Sequence, residues 1–196
     1  MKDQPAVIIL AAGMSERMGK QKCNLNFSEE ETFLEHIIHI YRRFVVSELV
    51  LVVNESVELE AFQDDEKIKI VLNDKIEYGR FYSVQLGLKE LHNTSVFIQN
   101  IDNPFVNAGL LMSLQNGIGL ADFAVPVYER KGGHPVLLSS DVIEPIVNGF
   151  KCTSHLNEVL KSFNRQDVFV NDPYIGVNIN TPEDYQKYFF GLMEHR

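Results

Sequence analysis

Ala6-Val7-Ile8-Ile9-Leu10-Ala11-Ala12-Gly13-Met14-Ser15-Glu16-Arg17-Met18-Gly19-Lys20-Gln21-Lys22 is the stretch on which the reading of this chain turns. Ala6 to Leu10 are short, β-branched and continuously apolar, the pattern of a strand buried on both faces. A turn of small residues and then a group of cations follow. Ala11, Ala12 and Gly13 set almost no side chain between the backbone and a ligand, so the chain can turn sharply and keep its amides exposed. With Arg17, Lys20 and Lys22 close by, such amides surround a phosphate chain with donors and positive charge. The spacing is not that of G-x-x-x-x-G-K-S/T, because Cys23 stands where a hydroxyl should follow the lysine. Nor is it G-x-G-x-x-G.

The rest of the composition suits a soluble enzyme. A chain of 196 residues, 45% hydrophobic and 23% charged, is expected to form one domain over residues 1–196 with a sizeable core. A net charge of −9 argues against a general nucleic-acid-binding surface, which needs clustered excess cations. Arg17, Lys20 and Lys22 stand out against that acidic background. No stretch reaches the roughly 18 apolar residues of a membrane span, and the polar Met1-Lys2-Asp3-Gln4 does not read as a signal peptide. The expected location is therefore the cytoplasm, with neither a membrane nor a nucleic acid as partner. Cys23 and Cys152 are isolated thiols without zinc spacing. Cys23 beside the cationic loop is either a reactive thiol or a small filler.

Strands and helices alternate along the chain, the order of an α/β layer fold. Leu34, Ile37, Ile38, Tyr41 and Phe44 recur at helical spacing, and Glu48 to Val53 reads as the next strand. Further strands are expected over Lys69 to Leu72, Ser95 to Ile101, Ala121 to Tyr128 and Pro135 to Leu138. The last two are separated by a turn at Arg130 to Gly133. Helices are expected over Phe81 to Leu91, Ser154 to Phe163 and Pro182 to Phe190. Thr181 stands as N-cap of the last, with Pro182 at its first position. Ligands of a parallel sheet sit beyond the carboxyl ends of its strands. The cationic loop, Asn73 and Asp102 all fall there.

Leu10 to Lys22 resembles the L-A/G-A/G-G-x-S-x-R-M-G-x-x-K signature of the nucleotidyltransferases that act on the molybdenum cofactor. The resemblance implies a three-layer, Rossmann-like fold with a mostly parallel central sheet. It also makes Leu10, Ala11, Ala12, Gly13, Ser15 and Lys22 nucleotide-binding positions, with Lys22, Arg17 and Asp102 catalytic. Asp102, in Asn100-Ile101-Asp102-Asn103-Pro104, resembles the metal-binding aspartate of the family's D-x-P motif. By itself, an Asp at a strand end also serves turns and caps. Gly176-Val177-Asn178-Ile179-Asn180-Thr181-Pro182-Glu183-Asp184 is similar to the family's D/N-x-D/N-T-P-E-D/E segment, which completes a magnesium site. The second ligand falls by position on Asn178, and Asn180 is left to orient it or to serve as a backup ligand. Amide oxygens ligate magnesium with less charge than carboxylates.

Asn73, Gly79, Ser83 and Gly87 resemble a stretch that in relatives faces the base and sugar, although Ser83 reads equally as a helix-face hydroxyl. Gly132-Gly133-His134-Pro135 is similar to a segment of the cytidylyltransferase branch that lies toward the acceptor, which marks His134 as acceptor-binding. His36, His39, His92, His155 and His195 have no such context and read as structural or surface residues. One run departs from the pattern. Where relatives of this branch carry Gly-Asp-x-Gly-hydrophobic-Arg, this chain has Asn148-Gly149-Phe150-Lys151-Cys152-Thr153-Ser154-His155-Leu156. That difference bears on the acceptor and not on the nucleotide.

The resemblance implies magnesium-dependent attack by an acceptor phosphate on the α-phosphate of a nucleoside triphosphate, with pyrophosphate leaving. Ala12 matches the cytidylyltransferase form, where guanylyltransferase relatives have glycine. An added methyl narrows the base site, so CTP is expected over GTP. The expected acceptor is molybdopterin, and the product would pass to a molybdenum hydroxylase. Two rivals remain open: cytidylyl or guanylyl transfer to a sugar phosphate or alcohol phosphate, and a non-catalytic nucleotide sensor.

Overall fold

Strand β1 (Ala6–Leu10) is buried along its whole length and lies in the middle of a central sheet. Its residues divide by parity, as a strand between two layers requires. Val7 and Ile9 pack into one apolar cluster, and Ala6, Ile8 and Leu10 into another on the opposite face. The structure, a computed structural model, describes residues 4–44, 46–59, 62, 65–91 and 94–189.

Helix α1 (Phe33–Phe44) turns Phe33, Leu34, Ile37, Ile38 and Tyr41 into the first cluster, as the helical spacing of its apolar residues dictates. The parallel strands β2 (Leu49–Val53) and β3 (Ile68–Leu72) extend the sheet on one side of β1. Helix α2 (Arg80–Leu88) lies on the opposite face. It packs closely there because Gly87 has no Cβ; one added would stand 2.7 Å from Ile8 Cγ2. Strand β4 (Val96–Asn100) pairs in parallel with the other edge of β1, and α3 (Ala108–Gly117) follows it. Then come β5 (Phe123–Tyr128), β6 (Lys131–Gly132) and β7 (Val136–Leu138). Next are α4 (Ile143–Gly149), α5 (Leu156–Leu160), β8 (Arg165–Phe169) and α6 (Pro182–Phe189).

The sheet order is β3-β2-β1-β4-β7-β5-β6, and β8 pairs with the other edge of β5. Strand β7 is antiparallel to both β4 and β5, while the pairings among β3, β2, β1 and β4 are all parallel. The expected three-layer α/β fold with a mostly parallel central sheet is therefore what this chain forms. No described helix is long and apolar enough to cross a membrane.

Several elements differ from expectation. Helix α3 was not foreseen. It starts at Asn107, whose Oδ1 accepts from Leu110 N at 2.9 Å. Helix α4 was also missed, and α5 is shorter than the expected Ser154 to Phe163. Strand β8 escaped the apolar pattern because it is a largely exposed edge strand. The turn expected over Arg130 to Gly133 is instead the two-residue loop Glu129-Arg130, with φ of 46° and 67°, a hairpin geometry that leaves Lys131 and Gly132 in β6. Phe190, His92 and His195 lie outside the described residues, as do Met1 to Asp3.

Candidate active site

At the carboxyl ends of β1 and β4 opens a cleft of about 300 Å³. Its floor is the loop after β1. Ala11 still belongs to the sheet: its amide bonds Val52 O at 2.8 Å and its side chain joins the α1 cluster. It supports the loop from beneath, whereas Leu10, Ala12, Gly13 and Ser15 line the cleft. Nothing stands within 4 Å of where a Cβ on Gly13 would lie, so its backbone faces open space. Ser15 takes a positive φ of 54°; its carbonyl accepts from Met18 N at 2.9 Å and its hydroxyl from Lys22 N at 3.3 Å. Met18 is buried in the core and pins the loop's far side.

Asn54, which directly follows β2, also holds the loop. Buried to 3% exposure, it donates through Nδ2 to Ala12 O at 2.9 Å and to Gly13 O at 3.4 Å. Its Oδ1 accepts from Ser56 N and Ser56 Oγ at 2.9 and 2.6 Å. The loop carbonyls are thereby turned toward Asn54. Sequence reasoning missed this residue, although its place at the carboxyl end of a parallel strand was the available signal.

Lys22 Nζ donates to Asn180 Oδ1 at 2.7 Å and lies 3.7 Å from Asp102 Oδ2. Burial lowers the pKa of Lys22, Asp102 opposes that shift, and the nearby Arg17 adds to it. Asp102 Oδ1 is buried without a hydrogen-bond partner. Of the two asparagines, Asn180 reaches this pair and Asn178 is exposed. The reason is local. Ile179 is fully buried and its amide bonds Asp102 O at 2.7 Å, after which a capping box bends the chain. Asp184 Oδ2 accepts from Asn180 N and Thr181 N at 3.0 Å each, and Thr181 Oγ1 accepts from Asp184 N at 3.2 Å. Asn103 braces the same junction, its Nδ2 donating to the carbonyls of Tyr174, Ile175 and Val177.

These oxygens suit a hard divalent cation. Asp102 Oδ2 and the Asn180 amide oxygen meet at one ammonium, so a positive charge already sits between them, and Asp102 Oδ1 is left without a partner. Among the described residues, no cluster of three or more His, Cys, Asp or Glu forms a complete metal cage. A partial seat of this kind leaves coordination positions for phosphate oxygens and water, which is how magnesium is commonly held.

Across the cleft, Asn73 Nδ2 donates to Ser83 Oγ at 2.8 Å, and both residues line the wall with Gly79. Gly79 has a φ of 82°, which favours glycine. Gly87 plays no part in the cleft, since the space it leaves is filled by Ile8. Arg80, not foreseen as a site residue, lines the cleft beside Gly79. His134 is linked to the wall through Asn100, whose Nδ2 donates to His134 Nε2 at 3.1 Å. Burial and then the Arg80 charge push its pKa down to about 4, so the ring is neutral, and its Nδ1 is buried without a partner. Gly133 precedes it where a Cβ would meet Ile175 O at 2.4 Å. Burial likewise raises the Cys23 pKa to about 12, which makes that thiol an inert filler.

Residues 7–168 match the MobA-like NTP transferase domain. The chain belongs to that family. It is 30% identical over 201 residues to a probable molybdenum cofactor guanylyltransferase of Methanosarcina mazei, covering 92% of this chain and 88% of that one. Over 183 residues it is 26% identical to the molybdenum cofactor cytidylyltransferase of Escherichia coli K12, covering 91% and 92%. Its fold is shared with Rv0371c of Mycobacterium tuberculosis H37Rv in complex with manganese, with a TM-score of 0.74, 20% identity, and 94% and 97% coverage. The names of the two relatives carry different bases and one common cofactor.

Proposed function

We propose that this chain transfers a cytidylyl group from CTP to the phosphate of molybdopterin and releases pyrophosphate. The observation that carries this reading is the meeting of Lys22, Asp102 and Asn180 at one end of a cleft whose other wall is Asn73 and Ser83. One end suits phosphates and the other a base and sugar. Support for the acceptor comes from the relatives, both named for the molybdenum cofactor.

In this reading the loop from Gly13 to Ser15 receives the triphosphate, and Lys22 and Arg17 neutralise it. Asp102 and Asn180 would hold magnesium, with Asn180 preferred over Asn178 because its amide oxygen already faces Lys22. Magnesium held there would supply positive charge against the negative charge that develops on the leaving pyrophosphate. An acceptor phosphate oxygen attacks the α-phosphorus in line. The bond from α-phosphorus to the α,β-bridging oxygen breaks, and pyrophosphate departs with its electron pair. A phosphomonoester has a second pKa of about 6 and is already a competent nucleophile at neutral pH, so the chain need supply no base. Catalysis then rests on positioning and on charges preorganised around the transferred group. The product would pass to a molybdenum hydroxylase.

Ala12 carries the choice of base. It lines the cleft, where its methyl would take room that a glycine would leave to the base. The test is a panel of CTP and GTP against molybdopterin, a sugar phosphate and an alcohol phosphate, scored by pyrophosphate release. CTP with molybdopterin should give the highest kcat/KM, and Ala12→Gly should shrink the CTP/GTP ratio by about tenfold, within the range one methyl-sized group commands. A wild-type preference for GTP overturns the base, and a preference for another phosphate overturns the acceptor.

A further inference from the structure

Beside the nucleotide cleft lies a second one of about 290 Å³, nearly equal in volume. The two share Gly79 and Arg80. One wall of the second cleft comes from Tyr78 and Arg80 at the start of α2, and the other from Ser154, His155 and Asn157 at the start of α5. The framework behind these walls is tied together. Gln85 of α2 donates through Nε2 to the carbonyls of Ile146, Val147 and Phe150 at the end of α4, immediately before the second wall.

Arg80 is exposed and has no hydrogen-bond or ion-pair partner among the described residues. A guanidinium left unpaired between two clefts is available to a phosphate. Its charge is felt at His134, which meets Asn100 in the wall of the first cleft. Tyr78 offers an aromatic ring held edge-on by Tyr82 at a centroid distance of 5.3 Å. His155 and Asn157 are exposed and bring donors and acceptors. Glu158 at the rim is engaged by Lys161 at 2.8 Å, so its charge is compensated. An aromatic face, hydrogen-bonding side chains and a cation at the inner end match a flat heterocycle with a phosphate on its side chain.

We propose that the second cleft binds the ring system of the acceptor, and that Arg80 receives the acceptor's phosphate and aims it at the α-phosphate of the nucleotide. This rests on the reading of the first cleft as the nucleotide site. In-line transfer requires reacting atoms roughly 3–3.5 Å apart, so an acceptor has to enter alongside the nucleotide, and the shared Arg80 marks such an entry. The run Asn148 to Leu156 ends in this wall, at Ser154, His155 and Leu156.

The probe is a fluorescent pterin bearing a phosphomonoester side chain, titrated in the presence of magnesium and a non-hydrolysable CTP analogue, with CTP binding measured separately by calorimetry. His155→Ala with Asn157→Ala should weaken the probe by about tenfold, as the loss of such hydrogen bonds does, and leave CTP affinity unchanged. Arg80→Ala should weaken the phosphorylated pterin and leave the binding of its unphosphorylated form as in the wild type. A wild type that does not bind the probe overturns the proposal. So does unaltered binding in the double variant, or CTP affinity falling in parallel with the probe, which would make the second cleft an extension of the base site. A wild type that binds the pterin at this cleft yet transfers to no phosphorylated acceptor overturns the reaction and supports the cleft.

Discussion

Asn54→Ala removes the clamp on the phosphate loop without touching any charge in the cleft. Its Nδ2 makes one good hydrogen bond to Ala12 O at 2.9 Å and a marginal one to Gly13 O at 3.4 Å, and its Oδ1 takes two from Ser56. Ser56 is exposed and rehydrates when Asn54 is gone, but Ala12 is buried, so its carbonyl loses its partner. At about 1 kcal/mol net for a typical hydrogen bond, and more for a buried group left unsatisfied, the variant should lose about 1–2 kcal/mol. For a chain of this size that lowers Tm by about 2–8 °C. The loop carbonyls are then free to rotate into the cleft, where they repel phosphate, so KM for the nucleotide should rise more than kcat falls. Thermal melts and initial-rate kinetics measure both effects. Ser56→Ala, which keeps both donors of Asn54, is the control and should change little. An Asn54→Ala protein with wild-type Tm and wild-type nucleotide KM would refute the clamp.

Three further outcomes follow from the site. Lys22→Ala should lower turnover about a hundredfold with the fold intact, since one preorganised charge contact to a transition state contributes about 3 kcal/mol; near-normal kcat in a steady-state assay would contradict its role. Asp102→Ala should abolish divalent-dependent pyrophosphate release, and Asp102→Asn should keep a little at raised magnesium, because an amide oxygen ligates without charge. A wild type indifferent to chelator would count against the metal. Burial holds His134 at a pKa of about 4 against an ordinary 6.5, so between those values the unfolded chain binds more protons and wild-type stability drains away as pH falls. Melts at neutral pH and near pH 5 should show a larger fall in Tm for wild type than for His134→Gln; equal falls would mean that the ring is not held neutral.

What the sequence made legible is what its chemistry keeps contiguous. Ala6 to Leu10 needs burial on both faces to be tolerable in water, and the loop after it carries its small residues and its cations in one unbroken run. Helix α1 is equally plain, because its apolar stripe faces a single layer. Strand β8 is different. Arg165, Gln166 and Asp167 are exposed on an edge, so nothing in their side chains reports the pairing that β5 imposes through the backbone. The site divides in the same way. Lys22 and Asn180 stand 158 positions apart, and the capping box at Thr181 and Asp184 turns the amide of Asn180, rather than that of Asn178, toward the lysine. Position within the motif favours Asn178, because a motif at fixed spacing cannot see that bend. Arg80 escaped notice because only the fold sets it between two clefts, and His134 lies behind Asn100, a depth no local pattern encodes.

The most direct measurement follows the label when the enzyme is given magnesium, molybdopterin and CTP labelled at its α-phosphorus, with a parallel reaction labelled at the γ-phosphorus. The account requires the α-label to appear on the pterin within a phosphatase-resistant diphosphate bond and the γ-label to leave as pyrophosphate, in equal amounts. Transfer of the γ-label to the acceptor, or CTP that binds and is recovered unchanged, would contradict it.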